Sequence, residues 1–157
     1  MRNTIAWCSR LRTGLRLQAP EEQNVEAYFS KSEQALQALS RLKGLQDWEL
    51  SAAYYAMYLA GMALLAKAGV SSQNHRCTLA FLSLLLSKED LYLLERGKEN
   101  REIGQYFVER TVLAKEAENL IRESPRFCAK CRGLAEQLDE KSIAMLRAKV
   151  AAFLPPT

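Results

Sequence analysis

Hydrophobic residues recur at helical spacing along most of the chain, and strand-type alternation does not persist anywhere. The first predicted helix begins near Asn24 and stops at Gly44, a residue type that commonly ends helices. Its single apolar stripe predicts a helix with one buried face. The stripe has the spacing 4, 3, 4, 3 and consists of Val25, Phe29, Ser32, Leu36 and Leu39.

The second predicted helix carries two apolar stripes and therefore needs neighbours on two sides. It opens at Asp47, an N-cap candidate, and runs to Gly69 as its C-cap. Alanines and Gly61 let neighbouring helices approach closely, so this helix is expected at the centre of a bundle. The stripes are Trp48, Ala52, Tyr55, Leu59, Met62 and Ala66, and Tyr54, Tyr58, Gly61, Leu65 and Ala68.

The remaining segments predict shorter helices. Residues 77–86 form a short buried helix, and residues 87–94 add a further turn. Residues 95–105 are charged and contain two glycines, which favours a helix end and an exposed loop. A helix over 112–121 is interrupted at Pro125, with one or two C-terminal helices after it. The pattern predicts an all-α, antiparallel up-and-down bundle of five or six helices.

Composition supports a single folded domain and shows one uneven segment. The 157 residues are 48% apolar and 25% charged, as in ordinary globular proteins. The net charge of +4 comes from residues 1–20, which hold four arginines and no acidic residue. We expect a basic N-terminal arm (1–20), a helical bundle (21–124) and a C-terminal helical extension packed on it (125–157). The arm could contact phosphates or an acidic partner; a partly ordered, solvated tail is the alternative.

The sequence predicts no membrane-spanning segment, no metal site and no secreted disulfide framework. No apolar run approaches the roughly 20 residues that span a bilayer, and no secretory signal is recognised, so a cytoplasmic location is predicted. Four unevenly spaced cysteines do not resemble a secreted disulfide framework. Cys128 and Cys131 have half of a zinc-site spacing, but no second pair follows, so neither a metal site nor a cofactor is predicted. A reversible disulfide, or zinc shared by two chains, stays open.

The segment SAAYYAMYLAGMALLAKAGVSSQNH, residues 51–75, resembles the signature of the HEPN family, the higher eukaryote and prokaryote nucleotide-binding domains. Lys31, Ser32 and Glu33 match the Lys-Ser-Glu start of the family's leading helix. Residues 52–60 match its A-x-YYAM-x-x-A helix. Further matches are the A-L-L-x-x-x-G ending and a polar turn with a histidine, here His75. The resemblance covers about residues 25–122.

This resemblance implies an antiparallel bundle that commonly dimerises and acts on RNA, often beside a small nucleotidyltransferase in toxin-antitoxin pairs. RNA-cleaving members carry Arg, four to six residues, then His, because imidazole moves protons near neutral pH and guanidinium stabilises phosphate charge. Here Arg101 is followed by Tyr106, and tyrosine, with a pKa near 10, is a poor base. The resemblance thus implies a non-catalytic module that binds nucleotide or RNA through Arg101 and Tyr106. Lys98 and Arg96 could extend a basic rim or could equally be a solvated charge run.

Several alternatives stay open at this point. The chain could be a metal-independent endoribonuclease toxin that uses Arg101 with Tyr106, or a structural adaptor that binds protein through its C-terminal helices. Arg101 and Tyr106 could also be an ordinary helix-end pair with a solvated arginine. His75 is expected to cap the helix near Cys77 or to lie half exposed in the turn. The residues expected in the core and the dimer interface, rather than as a base-stacking platform, are Tyr54, Tyr55 and Tyr58.

Overall fold

The computed structural model describes residues 2–153, and that part of the chain is an all-α bundle with one very short sheet. It holds seven helices where five or six were predicted, because a helix also forms inside the N-terminal segment. The elements are α1 (Arg2–Arg10), β1 (Arg16–Leu17), α2 (Glu22–Arg41), α3 (Gln46–Lys67), β2 (Val70–Ser71), α4 (His75–Leu82), α5 (Lys88–Tyr106), α6 (Ala114–Gln137) and α7 (Glu140–Ala151).

The central position of α3 is confirmed. Helices α2, α5 and α6 all pack against it, and Leu50, Met57 and Leu64 are fully buried there. A Cβ atom on Gly61 would meet Leu82 Cδ1 at 2.9 Å, so this glycine lets α4 approach, as predicted. The first stripe is wrong at Trp48 and Tyr55, whose side chains are 59% and 45% exposed.

Helix α2 agrees closely with its predicted stripe. It buries Val25, Phe29 and Ser32, and the Ser32 hydroxyl donates to the Ala56 carbonyl oxygen at 2.8 Å. Only residues 42–45 join α2 to α3, so the two helices pack antiparallel. Gly44 lies in this connection with φ +90°, a conformation that glycine adopts without steric cost.

The exposed loop predicted for residues 95–105 is wrong, because α5 continues to Tyr106. A capping box between Ser87 and Asp90 starts this helix. Its buried face includes Gly97, where a Cβ would meet Met57 Cε at 3.0 Å, and Asn100. Charged pairs at i,i+3 and i,i+4 line its polar face. The glycine that suggested a loop is instead the point at which α5 closely approaches α3.

Pro125 does not interrupt α6, contrary to the prediction. A proline has no N–H, so the carbonyl group of Ile121, four residues earlier, loses its usual helical donor. The buried Ser124 hydroxyl donates to this oxygen at 3.0 Å. The side chain therefore replaces the missing backbone donor, and the helix runs through to Gln137.

The N-terminal segment is not a solvated tail. Ile5, Cys8 and Leu15 are buried, and α1 packs against α4. Cys8 and Cys77 form a disulfide, which corrects the expectation drawn from the cysteine spacing. Two cysteines 69 residues apart in sequence meet here because helix packing, not local sequence, brings them together.

Arg147 of α7 forms hydrogen bonds to two earlier segments of the chain, the residue after β1 and the end of α3. Its Nη1 donates to the carbonyl oxygens of Gln18 at 2.7 Å, Gly69 at 2.8 Å and Ala68 at 3.2 Å. These carbonyls flank the β1–β2 pair, in which Leu17 lies opposite Val70. Over residues 2–153, no helix combines the length and apolar character needed to cross a bilayer.

Candidate functional site

Three helices bring together a group of aromatic and basic side chains, which we call the tyrosine–arginine cluster. Tyrosines lie on successive turns of α3, and the packing of α5 on α3 places Arg101 against them. The Arg101 guanidinium carbon lies 5.3 Å from the ring centroid of Tyr54. The cluster consists of Tyr54, Tyr55, Tyr58, His75, Arg101 and Tyr106.

The guanidinium of Arg101 is enclosed by tyrosine rings rather than by carboxylates. It also lies 5.7 Å from the Tyr55 centroid and 5.8 Å from the Tyr106 centroid, within cation–π range. Its side chain is only 13% exposed, so the alternative of a solvated arginine does not hold. The nearby carboxylate is Glu102, with Oε1 3.6 Å from Nη2, which is beyond hydrogen-bond distance.

Arg101 therefore has a donor that the protein does not use. Among the residues that the structure describes, its buried Nε atom has no hydrogen-bond partner. A guanidinium presents five N–H donors in a planar fork that matches a phosphate or a carboxylate. A phosphate oxygen is thus a suitable partner for this group.

His75 belongs to the same cluster, which sequence reasoning missed. Its Nδ1 lies 3.4 Å from the Tyr54 hydroxyl, and its ring stacks on Tyr58 with centroids 5.6 Å apart. The predicted capping role of His75 is wrong, because the Asn74 side chain accepts from the Cys77 backbone N–H at 3.3 Å. The contact could not be read from the sequence, because His75 lies on α4 and reaches α3 only through tertiary packing.

Both titratable groups at the centre of the cluster are held neutral. Burial, assisted by the positive charges of Lys98 and Arg101, lowers the pKa of His75 to about 4. Burial, together with neighbouring Tyr58, raises the pKa of Tyr54 well above its ordinary value. His75 is therefore uncharged at neutral pH, and its Nε2 is buried without a partner in the described part of the chain.

The predicted tyrosines divide between core and surface. Tyr54 is buried, Tyr58 is half-buried, and Tyr55 is 45% exposed. Tyr106, at the end of α5, is 69% exposed. The cluster thus has a buried centre at Tyr54 and two exposed rings at its rim.

Of the predicted basic rim, the structure places Lys98 beside the cluster and Arg96 away from it. Residues 98 and 101 are about 60° apart around a helix, whereas 96 and 101 are about 140° apart. Lys98 pairs with Glu102, Nζ to Oε1 2.7 Å, and lines a shallow cavity of about 340 Å³ together with His75. Arg96 faces α6 and pairs with Glu116.

The two remaining cysteines lie in the core. Cys128 and Cys131 are buried free thiols, and burial raises the pKa of Cys128 to about 11. The Cys131 pKa is raised for the same reason. Within the described residues, no group of three His, Cys, Asp or Glu side chains is arranged to hold a metal ion.

Comparison with protein-family models gives no match for this chain, and comparison with curated proteins gives none. The structural observations that bear on function are therefore those of the tyrosine–arginine cluster.

Proposed function

We propose that this protein is a HEPN-like module that binds a nucleotide or RNA without cleaving it, in the cytoplasm, together with a second copy of itself or a small nucleotidyltransferase. The observation that carries this proposal is the Arg101 guanidinium, which is fixed among three tyrosine rings while its Nε donor has no hydrogen-bond partner in the described part of the chain. The nucleotidyltransferase partner and the cytoplasmic location come from the sequence alone, and the Cys8–Cys77 disulfide counts against that location, because such bonds are rare in cytosolic proteins.

The cluster suits a single-stranded nucleic acid. A phosphate accepts hydrogen bonds from the Arg101 fork, and bases stack on the exposed rings of Tyr55 and Tyr106. Base stacking tolerates any sequence, because every base has an aromatic face. Lys98 adds positive charge on the same face of α5, although Glu102 offsets part of it. We therefore expect binding with little sequence preference and a strong dependence on salt.

Two features favour binding over catalysis. Position 106 is a tyrosine, and no histidine follows Arg101 at the family's catalytic spacing. The one histidine, His75, has Nδ1 against Tyr54 and a buried Nε2, so neither nitrogen is placed to take a proton from a bound ribose. One observation favours the endoribonuclease alternative: His75 and Arg101 contact the same Tyr54 ring.

A second copy of the chain is the proposed partner at the end of the bundle where α3 begins. Leu45, Trp48, Val108 and Leu113 are exposed there. The Gln46 amide donates to the Val112 carbonyl oxygen at 3.0 Å and so holds the segment after α5 against the start of α3. Neighbouring exposed apolar side chains of this kind mark protein interaction surfaces.

The binding proposal is tested by fluorescence anisotropy with a short labelled single-stranded RNA in EDTA. Arg101→Ala should weaken binding at low salt by about tenfold or more, because one charge-assisted phosphate contact is lost. The slope of log affinity against log salt should fall by about 0.7, the value for one phosphate contact to a single strand. Tyr106→Ala should also weaken binding through lost stacking.

Arg126→Ala is the matched control, because this α6 side chain is 76% exposed and lies outside the cluster. An equal loss of affinity in Arg126→Ala and Arg101→Ala would contradict a specific site. RNA cleavage that Arg101→Ala abolishes would establish the endoribonuclease alternative instead. If neither RNA nor nucleotides bind at low salt, the adaptor alternative is correct.

A further inference from the structure

A second concave site lies between α5 and α6, away from the tyrosine–arginine cluster. Both helices pack on α3, and residues of both line a groove of about 950 Å³. This volume lies within the range of roughly 300–1,000 Å³ that is typical of small-molecule sites. The ion pair between Arg96 and Glu116 joins the two helices at this groove.

The groove contains one buried amide whose hydrogen-bonding groups the protein does not use. The Asn100 side chain is 1% exposed, and neither its oxygen nor its nitrogen has a hydrogen-bond partner within the described residues. Asn100 lines the groove beside Leu93 and Leu120. A buried amide without partners is unfavourable, so this position selects for a bound group that pairs with both atoms.

The amide defines the complementary chemistry. An asparagine side chain places an acceptor and a donor side by side and pairs with a ligand edge that places a donor beside an acceptor. The N6 amino group and N7 of adenine form such an edge. Leu93 and Leu120 supply the apolar surface that the faces of a flat ring prefer, and the exposed ring of Tyr92 lies at the rim.

The charges of the groove do not favour a phosphate. Four carboxylates and only two basic side chains line it. One of the two, Arg96, already pairs with Glu116 and Glu99. Three of the four carboxylates are also paired, Asp90 with Lys130, Glu116 with Arg96 and Glu123 with Arg122. The groove therefore offers a phosphate no surplus of positive charge, and an uncharged base or nucleoside needs none.

We propose that this groove binds adenine in an unphosphorylated form, as the free base or adenosine, through a two-point hydrogen bond to Asn100. This site differs in place and in ligand charge from the tyrosine–arginine cluster. Each proposal can therefore fail without the other.

Isothermal titration calorimetry of the full chain with adenosine tests the proposal. Adenosine should bind the wild type, and N6,N6-dimethyladenosine should bind about tenfold more weakly, because it has no N6 hydrogen to donate to the Asn100 oxygen. Adenosine 5′-monophosphate should bind no more tightly than adenosine, because the groove offers no surplus of positive charge. Asn100→Leu should lower the affinity for adenosine at least tenfold, whereas Asn24→Leu, the same exchange at an exposed position, should leave it unchanged.

Leu93→Trp provides a second variant in case Asn100→Leu does not fold. Leu93 is only partly buried, so a tryptophan there can fill the groove and should abolish adenosine binding while the melting temperature is retained. Three results would overturn the proposal: no binding of millimolar adenosine to the wild type, unchanged binding in Asn100→Leu, or tighter binding of the monophosphate than of adenosine.

Discussion

At the scale of single residues, His75 shows how surroundings decide charge. The rings of Tyr54 and Tyr58 cover it from α3, while Lys98, Arg101 and Glu102 face it from α5. Burial and the two cations lower its pKa to about 4, and only Glu102 acts in the opposite direction. The ring is neutral in the folded protein over a pH range in which it is charged in the unfolded chain.

We expect acidification to destabilise the protein through His75. Its folded pKa of about 4 lies below the ordinary value of 6.5. Between these pH values the unfolded chain binds a proton that the folded chain does not. The contribution of the neutral His75 to the free energy of unfolding is therefore fully present above pH 6.5 and falls as the pH drops towards 4. Urea unfolding should show a loss of about 1–2 kcal/mol between about pH 7 and about pH 5, with allowance for solvent screening.

His75→Gln is the control for this effect. The chain has one histidine, so the variant should be nearly insensitive to pH over the same interval. Lys98 lowers the pKa of Glu102, and hydrogen bonds from Lys130 and Ser87 lower the pKa of Asp90. These two carboxylates therefore lose their contribution to the free energy of unfolding only at lower pH. Equal pH dependence in the wild type and in His75→Gln would contradict the assignment.

At the scale of elements, Ser124 and Pro125 form a functional pair within α6. The proline leaves the Ile121 carbonyl oxygen without a backbone donor, and the serine hydroxyl supplies one. The prediction that Pro125 ends the helix followed the residue's usual effect and overlooked the donor immediately before it. Serine before proline in an otherwise helical pattern is a signal that could have been used.

A double-mutant cycle tests this pairing. Ser124→Ala should lower the free energy of unfolding by about 1 kcal/mol in the wild type, because the Ile121 oxygen loses its partner. In a Pro125→Ala background the backbone N–H of residue 125 is restored, and Ser124→Ala should cost clearly less. Guanidinium unfolding of the four proteins measures the coupling, and an equal cost in both backgrounds would show that the hydroxyl does not replace the missing donor.

The elements differ in how far the sequence predicts them. Helices α2 and α3 bury apolar residues at regular spacing, so the pattern located both within a few residues. Helix α5 buries Gly97 and Asn100, which carry no hydrophobic signal, and residues 95–105 therefore resembled a loop. In the site, Arg101 and the tyrosines were identified one by one, but the approach of His75 depends on the packing of α4 and lies beyond any local pattern.

At the scale of the whole molecule, the Cys8–Cys77 disulfide joins the first helix to the middle of the chain. It attaches α1 to α4, the helix that also carries His75. The Arg76 guanidinium lies 4.9 Å from the Trp7 ring centroid and adds a second contact between the two helices. The N-terminal segment is thus covalently linked to the helix beside the tyrosine–arginine cluster.

Reduction should measurably destabilise the protein. Closing a loop between cysteines 69 residues apart restricts the unfolded chain, and the chain-entropy relation gives about 4 kcal/mol for it as an upper value. Urea unfolding with and without a thiol reductant should show a large part of this difference. The variant Cys8→Ser/Cys77→Ser should match the reduced wild type and should not respond to the reductant; a response would assign the effect to Cys128 and Cys131.

The three carbonyls held by Arg147 have a consequence for the order in which the chain matures during synthesis. Gln18, Ala68 and Gly69 are made long before residue 147, yet their oxygens find this donor only after α7 has left the ribosome. The segment around β1 cannot complete its hydrogen bonding while the chain is still being translated through α6. We therefore expect one of the earliest parts of the polypeptide to be among the last to reach its final arrangement.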